Sequence, residues 1–356
     1  MLTLINDTVL TKGYSRSVIM SFSKTEFDFI PNLLYDNITK HNRKYTFEDL
    51  KKRFNTRYPQ LFKEYFSFLN ENQYITDIPS SVLDNFEDLP NSFDYPFTIE
   101  NIIISLSDLN FQILIDLFED LPANFTKNYG ICVNASTHKL YKLIKTIMKR
   151  DVVFMKILIN EDIHFDFKEI NEYRDLIELE TIKNISSYLL SERYKLRWPQ
   201  FSFNSIMYSE SQAHHTYFNR KLYVGPKGEI KNAPECEETF GNINEIENAE
   251  ELKHIIATPE FQKYWYIHKE LCDVCKDCEF RHMCVDSRLP FQREDKSWYH
   301  KTECNYNPYI CKWEGEEGYQ TLEECGVISD EKGFSIDHER IAAINKILWE
   351  EETEDV

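Results

Sequence analysis

Apolar residues along the first eighty positions follow a period of two and then a helical period. In TVLTKGYSRSVIMSF, β-branched and aromatic residues flank Gly13 on both sides, which predicts two short strands joined as a hairpin. From Ile30 the apolar positions of IPNLLYDNITKH take helical spacing, with Pro31 suited to a first turn. Thr46 stands three residues before Asp49, which resembles a capping box and predicts a second helix over FEDLKKRF. A third helix is predicted after Pro59, where Leu61, Phe62, Tyr65, Phe66 and Leu69 form an apolar stripe. Strands followed by three helices fit a winged-helix-like unit over residues 1–80.

Pro79, Pro90 and Pro96, set among polar residues, mark a linker into the next region. Over residues 81–200, the β-rich runs ENIIISL, YGICVNA and HFDFKEI alternate with helical stretches such as STHKLYKLIKTIMKRDVVFMKIL. That alternation predicts about three βα units on a partly parallel sheet, too few for an eight-fold barrel. Beyond Trp198-Pro199 the pattern changes to two strands around the turn Gly225-Pro226-Lys227-Gly228. A helix broken at Pro259 and a last amphipathic helix, DHERIAAINKILWEEE, complete residues 201–356. The predicted fold is α+β or α/β, in three parts.

Composition narrows the chemistry. The chain has 356 residues and a net charge of −19, which disfavours nucleic acid as a partner because phosphates call for a basic face. Nine glycines and no Walker or Rossmann fingerprint leave no phosphate-cradling loop. Neither a signal-peptide pattern nor an apolar run of about 20 residues occurs, so a cytoplasmic location without a membrane span is expected. In a reducing compartment clustered thiols more often bind metal than pair as disulfides, and the odd count of nine leaves one unpaired.

Four of those nine fall within CDVCKDCEFRHMC, residues 272–284. Cys275, Cys278 and Cys284 form C-x2-C-x5-C, and Cys304 follows after nineteen intervening residues. Two thiolates from one tight turn and two from elsewhere suit tetrahedral zinc or a [4Fe-4S] cube. The rival register through Cys272, Cys275 and Cys278 starts like a bacterial ferredoxin but continues into His282 and Met283, without the required fourth Cys and Pro.

The stretch from 214 to 313 runs from HHTYFNRKLYVGPKGEIKNAPEC through CDVCKDCEFRHMCVD to ECNYNPYICKW. It resembles a SPASM domain, the iron-sulfur extension that follows radical SAM barrels in peptide maturases. More closely, it resembles the SPASM-type maturase of grasp-with-spasm peptide-modification systems, and KGYSRSVIMSFSKTEFDFIPNLLYDNI near the N-terminus is similar to that family too. The resemblance implies one auxiliary [4Fe-4S] cluster on Cys275, Cys278, Cys284 and Cys304, with zinc as the alternative occupant. A second cluster would need cysteines on both sides of the glycine turn and another soon after Cys284. This chain has His214 and His215 before the turn and Ser287 after Cys284, which leaves His215, Cys236, Cys272 and Cys311 as candidate ligands of a mixed second site.

Radical SAM enzymes hold their catalytic cluster through C-x3-C-x2-C, yet Cys132 is the one cysteine before Cys236 and no such triplet occurs. The resemblance therefore implies a degenerate, silent barrel over residues 81–200, and no residue is assigned a catalytic role. It also implies two partners: the leader of a short precursor peptide, and an ATP-grasp ligase that joins side-chain carboxylates to hydroxyl or amine groups. The leader is expected to add a strand at residues 9–22, largely independently of a metal site in a separate C-terminal unit. Two other classes stay open here. One is a cluster-dependent peptide-modifying oxidoreductase, and the other is a zinc-stabilised regulatory protein that binds DNA through Lys51, Lys52, Arg53 and Arg57.

Overall fold

The computed structural model describes residues 2–39, 49, 52, 59–79, 81–82, 93, 95–185, 201–202 and 204–350. Strands Leu2–Leu4 (β1), Thr8–Lys12 (β2), Ser17–Ser21 (β3) and Glu26–Ile30 (β4) are followed by helices Asn32–Thr39 (α1) and Pro59–Glu71 (α2), then Ile75–Asp77 (β5). β1 and β5 form an antiparallel ribbon, while β2, β3 and β4 form an antiparallel sheet in that order. Strand alternation gives this sheet two apolar faces. Ile19 and Ile30 pack with Leu34, Ile38, Phe62, Leu69 and Tyr74. Val9, Val18 and Met20 pack with Phe280, Met283 and Cys284 on the other side.

One expectation for this region changes. All five residues of β3 are buried, as a middle strand covered on both faces requires, so residues 9–22 are not one edge; the outer strands are β2 and β4. EFDFI forms β4 because Phe27 and Phe29 turn toward Phe280 while Tyr74 donates to Asp28 on the opposite face. The helix expected from Thr46 lies almost wholly outside the described residues.

Central elements follow in the order Asn101–Ser107 (β6), Phe111–Asp120 (α3), Asn128–Asn134 (β7), Thr137–Ile147 (α4), Phe154–Asn160 (β8) and Ile177–Ile182 (β9). After them come Ser205–Ser211 (α5), Lys221–Val224 (β10), Ile230–Lys231 (β11) and Ala249–Ile256 (α6). One sheet runs β11-β10-β6-β7-β8-β9, parallel throughout except for β11. Its main core packs Ile102, Ile104, Ile131, Val133 and Ile157 against Leu114, Phe118, Leu140 and Ile144 of α3 and α4. The turn between β10 and β11 depends on Gly228 at φ +92°, where a side chain would also meet Asn242 and Asn244.

One strand was misplaced by the hydrophobic pattern. FMKILIN, expected as the end of a helix, is β8, and HFDFKEI runs into a 3-10 turn over Phe167–Leu176. The Asp166 carboxylate accepts from the Lys168 amide and starts that turn, diverting the backbone from a strand ladder.

The remaining strands pair as three antiparallel hairpins: Pro290–Gln292 (β12) with Trp298–His300 (β13), Tyr306–Asn307 (β14) with Lys312–Trp313 (β15), and Val327–Asp330 (β16) with Gly333–Ile336 (β17). Helix His338–Glu350 (α7) closes the described chain. Among the described residues, no helix is long and apolar enough to cross a membrane.

Candidate metal centre

The cysteine loop is shaped by short-range bonds rather than by long elements. Asp273 is clamped by Arg293 at 2.6 Å and Lys276 at 2.9 Å. Val274 then adopts φ +65° and ψ −50°, and the Cys275 amide donates to the Asp273 carbonyl at 2.7 Å. This tight turn is strained for a β-branched residue. It turns the chain into the single 3-10 turn Cys275–Asp277, after which the Cys278 amide donates to the Cys275 carbonyl. Cys304 lies two residues before β14.

Cys275, Cys278, Cys284 and Cys304 all line one small cavity. Phe201, Phe280, Tyr306 and Trp313 supply its apolar wall, and Lys269, Arg281 and Arg288 its charge. Burial pushes the thiols of Cys278 and Cys284 well up and that of Cys304 to about 11. A cation bound to the sulfurs would reverse that preference, because coordination stabilises thiolate. In their shared wall and soft donor chemistry, the four residues fit a metal-thiolate centre.

Two buried cations adjoin the thiols. Asp286 accepts from Lys269 Nζ at 2.7 Å and from Arg288 Nη2 at 2.7 Å, and Arg288 Nη2 also points at Cys275 Sγ, 3.6 Å away. Burial alone would raise the Asp286 pKa, but Arg288 and Lys269 more than offset it and hold the carboxyl well below its usual range. Among the described residues, one trio of ligating atoms lies within 4.8 Å of one another: those of Cys275, Asp286 and His300. Its carboxylate is already saturated by two cations, which would repel a metal dication there.

The four residues considered for a second centre are not brought together. His215 and Cys236 pack around Phe218; the His215 ring lies 4.7 Å from that of Phe218, and Cys236 shares its apolar cluster. Cys272 bridges toward Trp298, and Cys311 lines a different cavity with Arg16 and Trp349. Burial pushes the thiols of Cys236, Cys272 and Cys311 each up to about 12.

The N-terminal sheet packs directly on the cysteine loop. The Tyr14 amide donates to the Asp277 carbonyl at 2.7 Å, and Arg281 donates to the Lys12 carbonyl. Arg16 Nε donates to buried Glu279 at 2.8 Å and Nη2 to the Tyr306 hydroxyl at 3.1 Å, while the guanidinium stacks 3.4 Å over the Phe29 ring. Gly13 permits this approach, since a Cβ there would stand 2.9 Å from the Glu279 side chain and 2.5 Å from the Arg16 carbonyl. Sequence reasoning missed Arg16, Lys269, Glu279, Asp286 and Arg288. Their signal was weak, being single charges set among apolar and cysteine positions with no diagnostic spacing.

No protein-family model and no curated protein matches the chain. Among solved structures, SuiB of Streptococcus suis bound to S-adenosylmethionine aligns over 80% of this chain and 95% of its own, at 11% identity and a TM-score of 0.23. MccB of E. coli aligns over 72% of this chain and 77% of its own, at 12% identity and a TM-score of 0.16. At these values neither similarity carries an argument about this chain.

Proposed function

We propose that this chain is a peptide-maturation partner in which one [4Fe-4S] cluster on Cys275, Cys278, Cys284 and Cys304 braces an N-terminal peptide-binding sheet. The observation that carries the reading is the convergence of the four cysteines on one cavity whose wall also supports that sheet. The resemblance of the cysteine spacing to SPASM domains favours a [4Fe-4S] cube over zinc, each thiolate binding a different iron.

When bound, the cluster would supply four metal-thiolate bonds that tie the 275–284 loop to Cys304. The chain's own residues do the rest. Phe280, Met283 and Cys284 hold one face of the β2-β3-β4 sheet, and Arg16 locks its hairpin through Glu279 and Tyr306. A leader peptide would add to an outer strand through main-chain hydrogen bonds, with side-chain pockets fixing register. β4 is the more exposed of the two outer strands. A separate ATP-grasp ligase would act on the peptide held there.

Calorimetric titration of the full chain with candidate precursor leaders tests this reading, using cluster-loaded and cluster-free protein. Micromolar binding, about 8 kcal/mol at 1 μM, is expected for the loaded form and at least ten-fold weaker binding for the cluster-free form. Absence of binding by the loaded form would contradict it.

A further inference from the structure

A metal-thiolate group with four cysteine ligands carries net negative charge, and burying such a charge among aromatic rings is unfavourable without compensation. The chain answers with a rigid network of buried charges. Arg288 donates from Nε to Asp286 at 3.0 Å, from Nη2 to Asp286 at 2.7 Å and from Nη1 to the Thr302 carbonyl at 2.9 Å. With its fork held on two sides, Nη2 also reaches Cys275 Sγ at 3.6 Å. Lys269 is fixed on the same carboxylate, and both cations line the thiol cavity. One carboxylate needs one cation. The second leaves a net positive charge, and the thiols are the acceptors it faces.

We propose, resting on the iron-sulfur reading above, that Lys269, Asp286 and Arg288 are positioning residues that set the reduction potential of the centre, with Arg288 acting on the sulfur of Cys275. One-electron reduction adds a negative charge to the cluster and makes or breaks no covalent bond. A fixed cation stabilises the reduced state more than the oxidised one, and a hydrogen bond to a ligand sulfur acts in the same direction. Asp286 works against both, since its charge partly cancels the cations.

The test is a redox titration with dithionite as reductant, followed by absorbance and electron paramagnetic resonance. It uses the anaerobically purified full chain as wild type, Arg288→Gln, Arg288→Lys and Asp286→Asn, with iron and sulfide counted in each. The midpoint should move to more negative potential in Arg288→Gln, to more positive potential in Asp286→Asn, and stay near wild type in Arg288→Lys. Loss of the cluster from Arg288→Gln with retention in Arg288→Lys also supports the proposal, because the charge is then required. Unchanged midpoints in Arg288→Gln and Asp286→Asn, shifts of the same sign in both, or cluster loss from Arg288→Lys would overturn it and leave the cluster assignment standing. A wild-type chain without iron and sulfide would overturn the assignment itself.

Discussion

At the scale of single residues, Cys275, Cys278, Cys284 and Cys304 share one cavity wall and Cys311 lines another. Cys278→Ala should strip most of the bound metal and destabilise the loaded protein by on the order of several kcal/mol, since metal binding contributes folding free energy. Cys311→Ala should leave the metal content unchanged, because that thiol faces the Arg16 and Trp349 cavity. Metal analysis of the two variants checks both, and equal loss from each would remove the distinction. Glu210 supports a prediction away from the centre. Burial first, and Glu100 second, raise its carboxyl to about 8, against the opposing effects of Asn219, Lys221 and Arg220. The unfolded carboxyl titrates near its ordinary value of 4.5. Between those two values the folded state therefore binds the extra proton, and stability falls as pH rises, at up to about 1.4 kcal/mol per pH unit. Glu210→Gln should flatten this fall and be more stable at pH 8 by a few kcal/mol, read from urea midpoints at pH 5, 6.5 and 8. Parallel pH profiles for the two proteins would contradict it.

At the scale of elements, legibility in the sequence followed period and length. α2, α4 and α7 were readable because each keeps an apolar stripe over ten or more residues. The β10-β11 turn was readable from Gly225 to Gly228, where one glycine takes a positive φ. β4 and β8 were not, since five- and seven-residue segments beside helices fit either period until their tertiary partners are known. The four thiols were legible by spacing. The charged network next to them was not, because Lys269 and Arg288 meet at Asp286 only after the loop folds back on itself. β4 also gives a direct test of strand addition. In an outer antiparallel strand neighbouring amides point alternately inward and outward, so of Phe27→Pro and Asp28→Pro one should break the sheet and the other spare it. The variant that keeps wild-type circular dichroism should lose leader binding in calorimetry. Normal binding by that variant would move the peptide to another surface.

At the scale of the whole molecule, the chain beyond residue 200 reaches both the central sheet, through β10, and the N-terminal sheet, through the cysteine loop. β10, from beyond residue 200, pairs in parallel with β6, and the β2-β3-β4 sheet has helices on one face and the cysteine loop on the other. A peptide on an outer strand would therefore lie one sheet layer from the cavity, so loading the centre would stiffen the surface that recognises it. All of this depends on what the four thiols hold. Anaerobic isolation of the full chain, followed by iron, sulfide and zinc analysis, measures it most directly. The account predicts about four iron and four sulfide per chain and no stoichiometric zinc. One zinc per chain without sulfide would contradict it.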